Sequence, residues 1–429
     1  MNKYISDLKD LVFSKTAKDA TVVFIGNATS SLLAIVFTIF AARSLGPENW
    51  GMVAAVTSLV AILVAFGELG LDAGLLKFVS KLWRENKFKE AKSIFQTVFT
   101  VRLMLAATII AILFLAPQEI SKLAFNSKDT SLVYFSALGF LAALIFDYQI
   151  AATQSKEHWI VAAFLLTLTN IIRILGLLFL IWTDSVNLAS VLKVFTGSGF
   201  ICFLLSLYWH QTPLGFSKNW QEILRQIIPF SGWMGLNKIV SVLNGRIDVL
   251  LLLSLSSAYS AGVYAAANRL AMGVPIIVAS FATVLAPKLA GFNTKEELEI
   301  YFKKSLGLTL LISIGLLFGV LVSPFVIKLF GPEYKEAGPI LQLLFISYIP
   351  FTLSTPAVNT LIYSFKRPQI IAIMTIIQSP LVIAANYFLI PRFDIYAPVV
   401  IIAGTNTISM FVSYYFVWRY LSKKEEGLQ

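Results

Sequence analysis

The stretch LNGRIDVLLLLSL, residues 243–255, carries an arginine and an aspartate inside a run otherwise built for hydrocarbon. Lys238 on the same apolar run, and Arg173 and Arg269 on two others, are the remaining deep cations. A charge at the centre of a bilayer costs at least about 2.5–3.5 kcal/mol on insertion scales, so each demands a water-filled cavity or a counter-charge. A guanidinium donates planar, bidentate hydrogen bonds without losing its charge, which suits a phosphate-bearing ligand. Arg246 and Asp248 are not expected to pair, because two residues along a helix turn the side chain by about 200°. Asp248 instead extends a polar stripe with Asn237, Ser241 and Asn244. The substrate-binding candidates are therefore Arg246, Arg269, Arg43, Lys238 and Arg173. For a coupling ion, Na+ or H+, the candidates are Asp248, Asn244, Asn386 and Asn406. The connections show no carboxylate pair and no nucleophile–base set, so catalysis is not expected. A single Cys202 and only His158 and His210 leave no expected metal site or cofactor.

These residues need elements that hold them in a membrane. Apolar residues make up 57% of the 429, charged residues 13%, and the mean hydropathy is +0.79. A soluble domain carries about 25% charged residues, so this composition implies an all-α integral membrane protein. Spanning a bilayer takes roughly 20 apolar residues, and twelve segments qualify: 20–43, 50–72, 97–116, 131–153, 159–182, 187–209, 227–253, 260–287, 304–328, 338–363, 369–390 and 396–419. Lys304, Lys328 and Arg419, at the edges of their spans, are counted with the adjoining connections, and Arg43 with its span. The termini and even-numbered connections then hold 22 Lys and Arg, and the odd-numbered ones 5. This asymmetry places both termini in the cytoplasm and accounts for the net charge of +11 without a nucleic-acid partner. At 1.5 Å per residue, Arg246 on span 7 and Arg269 on span 8 both lie about 14 Å from the external end. Two like charges at one depth call for water or a shared anion.

Charges nearer the span ends have plainer readings. Arg43 and Arg102 are placed to snorkel towards a membrane surface. Glu68, Asp72 and Asp147 are placed to pair with Arg102 and Lys77. Lys193, two turns into span 6, fits either role. Residues 1–18 repeat apolar positions at helical spacing, as a helix lying on the membrane surface would.

A shift of 211 residues aligns SLGPENWGMVAAVTSL (44–59) with SLSSAYSAGVYAAANRL (254–270), matching Gly51 to Gly262 and Ala54 to Ala265. With the polar connector at mid-chain, this implies an N-lobe of six spans (1–210), a linker (211–226) and a C-lobe of six spans (227–429). The lobes would be parallel repeats about a pseudo-two-fold axis, with a site between them. The small residues themselves are expected to serve close helix packing.

Three stretches carry a family resemblance: ARSLGPENWGMVAAVTSLVAILVAFGELGLDAGLLKFVSK (42–81), RIDVLLLLSLSSAYSAGVYAAANRLAMGVPIIVASFATVLAPKLA (246–290) and LFGPEYKEAGPILQLL (329–344). The chain resembles the polysaccharide-transport, O-antigen flippase-like branch of the multidrug/oligosaccharidyl-lipid/polysaccharide exporter superfamily. The resemblance implies a V-shaped, two-lobe MATE-like transporter with a cationic central cavity. It implies a monomer in the bacterial inner membrane that flips an undecaprenyl-diphosphate-linked oligosaccharide (an O-antigen, capsule or exopolysaccharide unit) to the external leaflet. Membrane lipids, a polysaccharide polymerase and chain-length machinery would be its partners. A cation-coupled multidrug exporter of the same superfamily is expected to hold an acid within span 1, and residues 20–43 have none. A membrane polysaccharide polymerase or ligase is expected to have a long external loop, and no connection here is long enough.

Overall fold

A computed structural model describes residues 15–209, 212–279 and 295–426, and over them the chain runs helix after helix without a strand. The surface helix expected over 1–18 falls largely outside the described residues, as does the end of the eighth span. Ten described helices are long and apolar enough to cross a membrane. The first, Val23–Glu68, is broken at Gly46, whose φ of 73° and ψ of 166° are not helical, so it supplies two spans. The helix Trp220–Leu255 is a further span of 36 residues. Lys238, Arg246 and Asp248 set it apart by placing three charges in its most apolar stretch, 238–255. Among the described residues this makes the twelve that the hydropathy pattern predicts. Large apolar side chains such as Leu115 and Trp182 are left 85% and 82% exposed on these helices, as suits a protein surrounded by lipid.

Two features lie beyond the hydropathy reading. Pro117–Phe125 forms a short amphipathic helix after the third span. The second span gives way at Leu69–Gly70 to a short helix (Leu71–Gly74), a π-helical turn (Leu75–Val79) and a further helical turn (Ser80–Arg84). A π turn adds a residue to the coil and shifts the face on which later side chains emerge.

By backbone contacts the chain forms two compact units, residues 1–45 with 55–242, and residues 46–54 with 243–429. The division falls within the helix Trp220–Leu255. The first unit is built on a core of Leu71, Leu75, Phe95, Val98, Tyr148 and Ile227, with Val60, Phe140 and Leu144 beside it. The second has its core at Val274, Val278 and Leu316, and again around Ala357, Leu361 and Val417. Within this second unit, the repeat-aligned glycines meet. A Cβ on Gly51 would run into the Ala258 carbonyl and the Gly262 amide, and one on Gly262 into the Pro47 carbonyl. Small residues here permit backbone-to-backbone packing, as expected.

Candidate functional site

In the first unit, charge collects where the second span breaks. Leu69 (φ 46°) and Gly70 (φ 74°) are both left-handed, a conformation that costs a leucine on the order of 1 kcal/mol and ends the helix after Glu68. The turn is pressed against the seventh span. A Cβ on Gly70 would strike the Ser231 carbonyl and the Gly235 amide, and one on Gly235 would strike the Leu69 carbonyl. Backbone contact this close needs glycine on both sides. One turn after Gly235, Lys238 therefore reaches the broken end, where its ammonium pairs with Glu68 and lies 3.8 Å from Asp72.

Arg102 closes the network from the third span. It pairs with Asp72, lies 3.9 Å from Glu68, and donates to the Leu144 carbonyl at 3.4 Å. The Tyr148 ring stands 5.8 Å from its guanidinium, and Tyr148 in turn donates to the Phe95 carbonyl at 3.0 Å. Arg102 was expected to snorkel; it is buried instead, because two carboxylates from the broken helix neutralise it in place. Lys77 makes no ion pair with these acids. Its ammonium lies 3.9 Å from the Phe230 ring, an electrostatic contact with the ring face. Two acids and two bases thus balance, and the charge of Lys238 is offset by Glu68. Arg173 is also engaged: it donates to the Ser198 hydroxyl at 2.9 Å and lies over the Phe195 ring at 4.1 Å. Arg43 and Lys193 are exposed.

The second unit places its charges differently. Asp248 is buried at 5% exposure, accepting from the Tyr264 hydroxyl and from the Val249 amide at 2.8 Å. It forms no ion pair with Arg246, in keeping with their opposite helical directions. Arg246 and Arg269 are half-buried and near enough to repel each other. Among the described residues neither has a carboxylate within 4 Å. Arg269 sits in the last turn of the helix Ala258–Ala271, where the backbone dipole favours a cation. Its Nε is buried without a partner, as is Oδ1 of Asn244. Asn386 donates to the Val382 carbonyl at 2.9 Å in its own helix, and Asn406 to the Ser347 carbonyl at 3.0 Å. No hydrogen bond among the described residues joins Asp248, Asn244, Asn386 and Asn406 into one cluster. Groups of His, Cys, Asp and Glu able to hold a metal are absent among the described residues.

The sequence reading placed Glu68 and Asp72 to pair with Arg102, as they do, but it missed the Glu68–Lys238 pair. Its only local signal was GELGLD (67–72), two glycines flanked by acids at the end of a span.

Comparison with known proteins gives a family and a shared fold. The sequence pattern of a family described as polysaccharide biosynthesis protein matches residues 16–292. A putative O-antigen transporter of Shigella flexneri is 22% identical over 380 residues, covering 86% of this chain and 90% of that one. The lipid II flippase MurJ in an inward closed conformation shares the fold with a TM-score of 0.74 at 14% identity, over 92% of this chain and 87% of that one. An inward-facing multidrug resistance MATE family transporter of the MOP superfamily gives 0.73 at 16% identity, over 93% and 96%. The all-helical fold is thus shared with these two transporters.

Proposed function

The chain belongs to the polysaccharide biosynthesis protein family, and from that premise we propose that it flips an undecaprenyl-diphosphate-linked oligosaccharide across the bacterial inner membrane. The movement runs by alternating access from the cytoplasmic to the external leaflet, with both termini cytoplasmic. The observation that carries this reading is the Arg246–Arg269 pair: two half-buried guanidinium groups that repel each other, neither with a carboxylate within 4 Å among the described residues. A diphosphate supplies the missing counter-charge and accepts planar bidentate hydrogen bonds from both. The O-antigen transporter name of the Shigella flexneri relative agrees with such a cargo. A positively charged drug, by contrast, would be repelled at this pair. Arg43 and Arg173 are secondary contributors. Lys238 adds less, because Glu68 offsets its charge.

Arg246→Ala and Arg269→Ala should each abolish surface polysaccharide while the protein still inserts at normal levels. Lys at either position should restore only part of the activity, since an ammonium offers no planar fork. Full surface polysaccharide in an alanine variant would remove that arginine from the site. Asp248 is the leading residue for coupling to Na+ or H+, being a buried carboxylate held by one hydroxyl. Transport in inverted vesicles indifferent to both gradients would end that role.

A further inference from the structure

A second basic site lies in the first unit, far along the chain from Arg246 and Arg269. The connection after the second span forms a wall of a cavity of about 570 Å³. Lys77, Lys81 and Arg84 line it, with Leu76, Ser80 and Trp159 completing the walls. The three cations recur at spacings of four and three, which brings them to one side of the π and α turns. Like charges so placed repel one another.

Their local partners compensate incompletely. Glu85 also lines the cavity, but it lies 4.0 Å from Lys81 across a mostly exposed pair, a geometry worth little in water. Glu157 pairs with Arg84. Lys77 has only aromatic rings, Phe230 at 3.9 Å and Phe78 at 5.3 Å. Glu85 is itself held by Lys87 at 2.7 Å, so the three lining cations and Lys87 share two carboxylates.

The remaining wall indicates what kind of anion fits. Trp159 opens the fifth-span helix, and indoles at the ends of spans favour the zone between headgroups and hydrocarbon. Beyond it on the same helix, Ile160 and Phe164 are 69% and 49% exposed and four residues apart on one face. A free phosphate would use only the basic wall. A lipid uses both, with its headgroup at the cations and its chains along the exposed apolar face. Basic pockets beside membrane helices on the positively charged side are suited to anionic headgroups.

We propose that this cavity binds the phosphate headgroup of a membrane lipid. Its assignment to the cytoplasmic leaflet rests on the asymmetry of basic residues among the connections, and not on the transport reading. The same chemistry is offered by a resident phospholipid and by a polyprenyl diphosphate carrier, and the test separates them. The full chain, purified in detergent, is titrated with phosphatidylglycerol, undecaprenyl diphosphate, phosphatidylcholine or inorganic pyrophosphate, and bound molecules are counted by native mass spectrometry. Replacing Lys77 and Lys81 with Gln should weaken lipid binding about fivefold for each charge removed, leaving phosphatidylcholine unaffected. Loss for phosphatidylglycerol alone assigns a resident lipid, and loss for undecaprenyl diphosphate alone assigns the carrier. Equal loss for both assigns a general headgroup site. Unchanged affinity for both lipids overturns the proposal, as does pyrophosphate binding as tightly as the lipids. Should the double variant not fold, Lys81→Gln alone carries the same comparison, because Lys81 is exposed and contributes little to packing. The Arg246→Ala protein must keep this binding, so a failed transport reading and a failed lipid site give different results.

Discussion

Replacing Arg102 with methionine tests the charge network most directly. The side chains of Arg102 and Glu68 are each 2% exposed, and that of Asp72 19%. Arg102→Met roughly keeps the volume but leaves two carboxylates sharing Lys238, whose side chain is 40% exposed. Removing one partner of a buried ion pair costs about 3–5 kcal/mol, because the other charge is left without compensation. At roughly 2–4 °C per kcal/mol for a domain of this size, the melting temperature should fall on the order of 10 °C. Lys238→Met should cost clearly less, since water already screens its partly exposed side. Cys202 provides the readout: it is the only cysteine, it is fully buried, and it belongs to the same unit. A thiol-reactive dye therefore reports unfolding as Cys202 becomes accessible. Adding Asp72→Asn to Arg102→Met should recover part of the loss. The reasoning fails if Arg102→Met melts with the wild type, or if Lys238→Met is the more damaging change.

Three further outcomes follow from the same geometry. Gly235→Ala drives a Cβ into the Leu69 carbonyl and should cost about 1–3 kcal/mol, whereas Gly232→Ala, with open space around it, should be neutral or stabilising in the same melt. Tyr264→Phe removes the hydroxyl that donates to buried Asp248 and should cost about 1.5–3 kcal/mol; a double-mutant cycle with Asp248→Asn that shows no coupling would disprove the contact. Burial, and secondarily the Lys156 ammonium, hold the His158 imidazole below its ordinary 6.5. The unfolded chain then binds more protons between the lowered value and 6.5, so stability rises with pH through that window. His158→Gln should flatten this rise in melts taken on either side of pH 6.5.

Much of the molecule was legible in local patterns. Hydropathy located the spans because transfer into hydrocarbon is summed over some twenty consecutive residues. Helical rotation alone separated Arg246 from Asp248, and the structure gives Asp248 to Tyr264. The match of Gly51 to Gly262 anticipated two helices meeting at their backbones. What tertiary structure decided was which charges meet. The pairing of Arg102 with Glu68 and Asp72 was legible from their places along the spans, but its burial was not, and Lys238 reads as an unmatched cation until the same two acids are brought to it. Lys238 and Glu68 are 170 residues apart in the chain. Their meeting depends on a left-handed turn at Leu69–Gly70 and on the absence of a side chain at Gly235. Neither is expressed in periodicity or hydropathy, which sum along the chain. A counter-charge acts across space, and only the packed helices determine which residue supplies it.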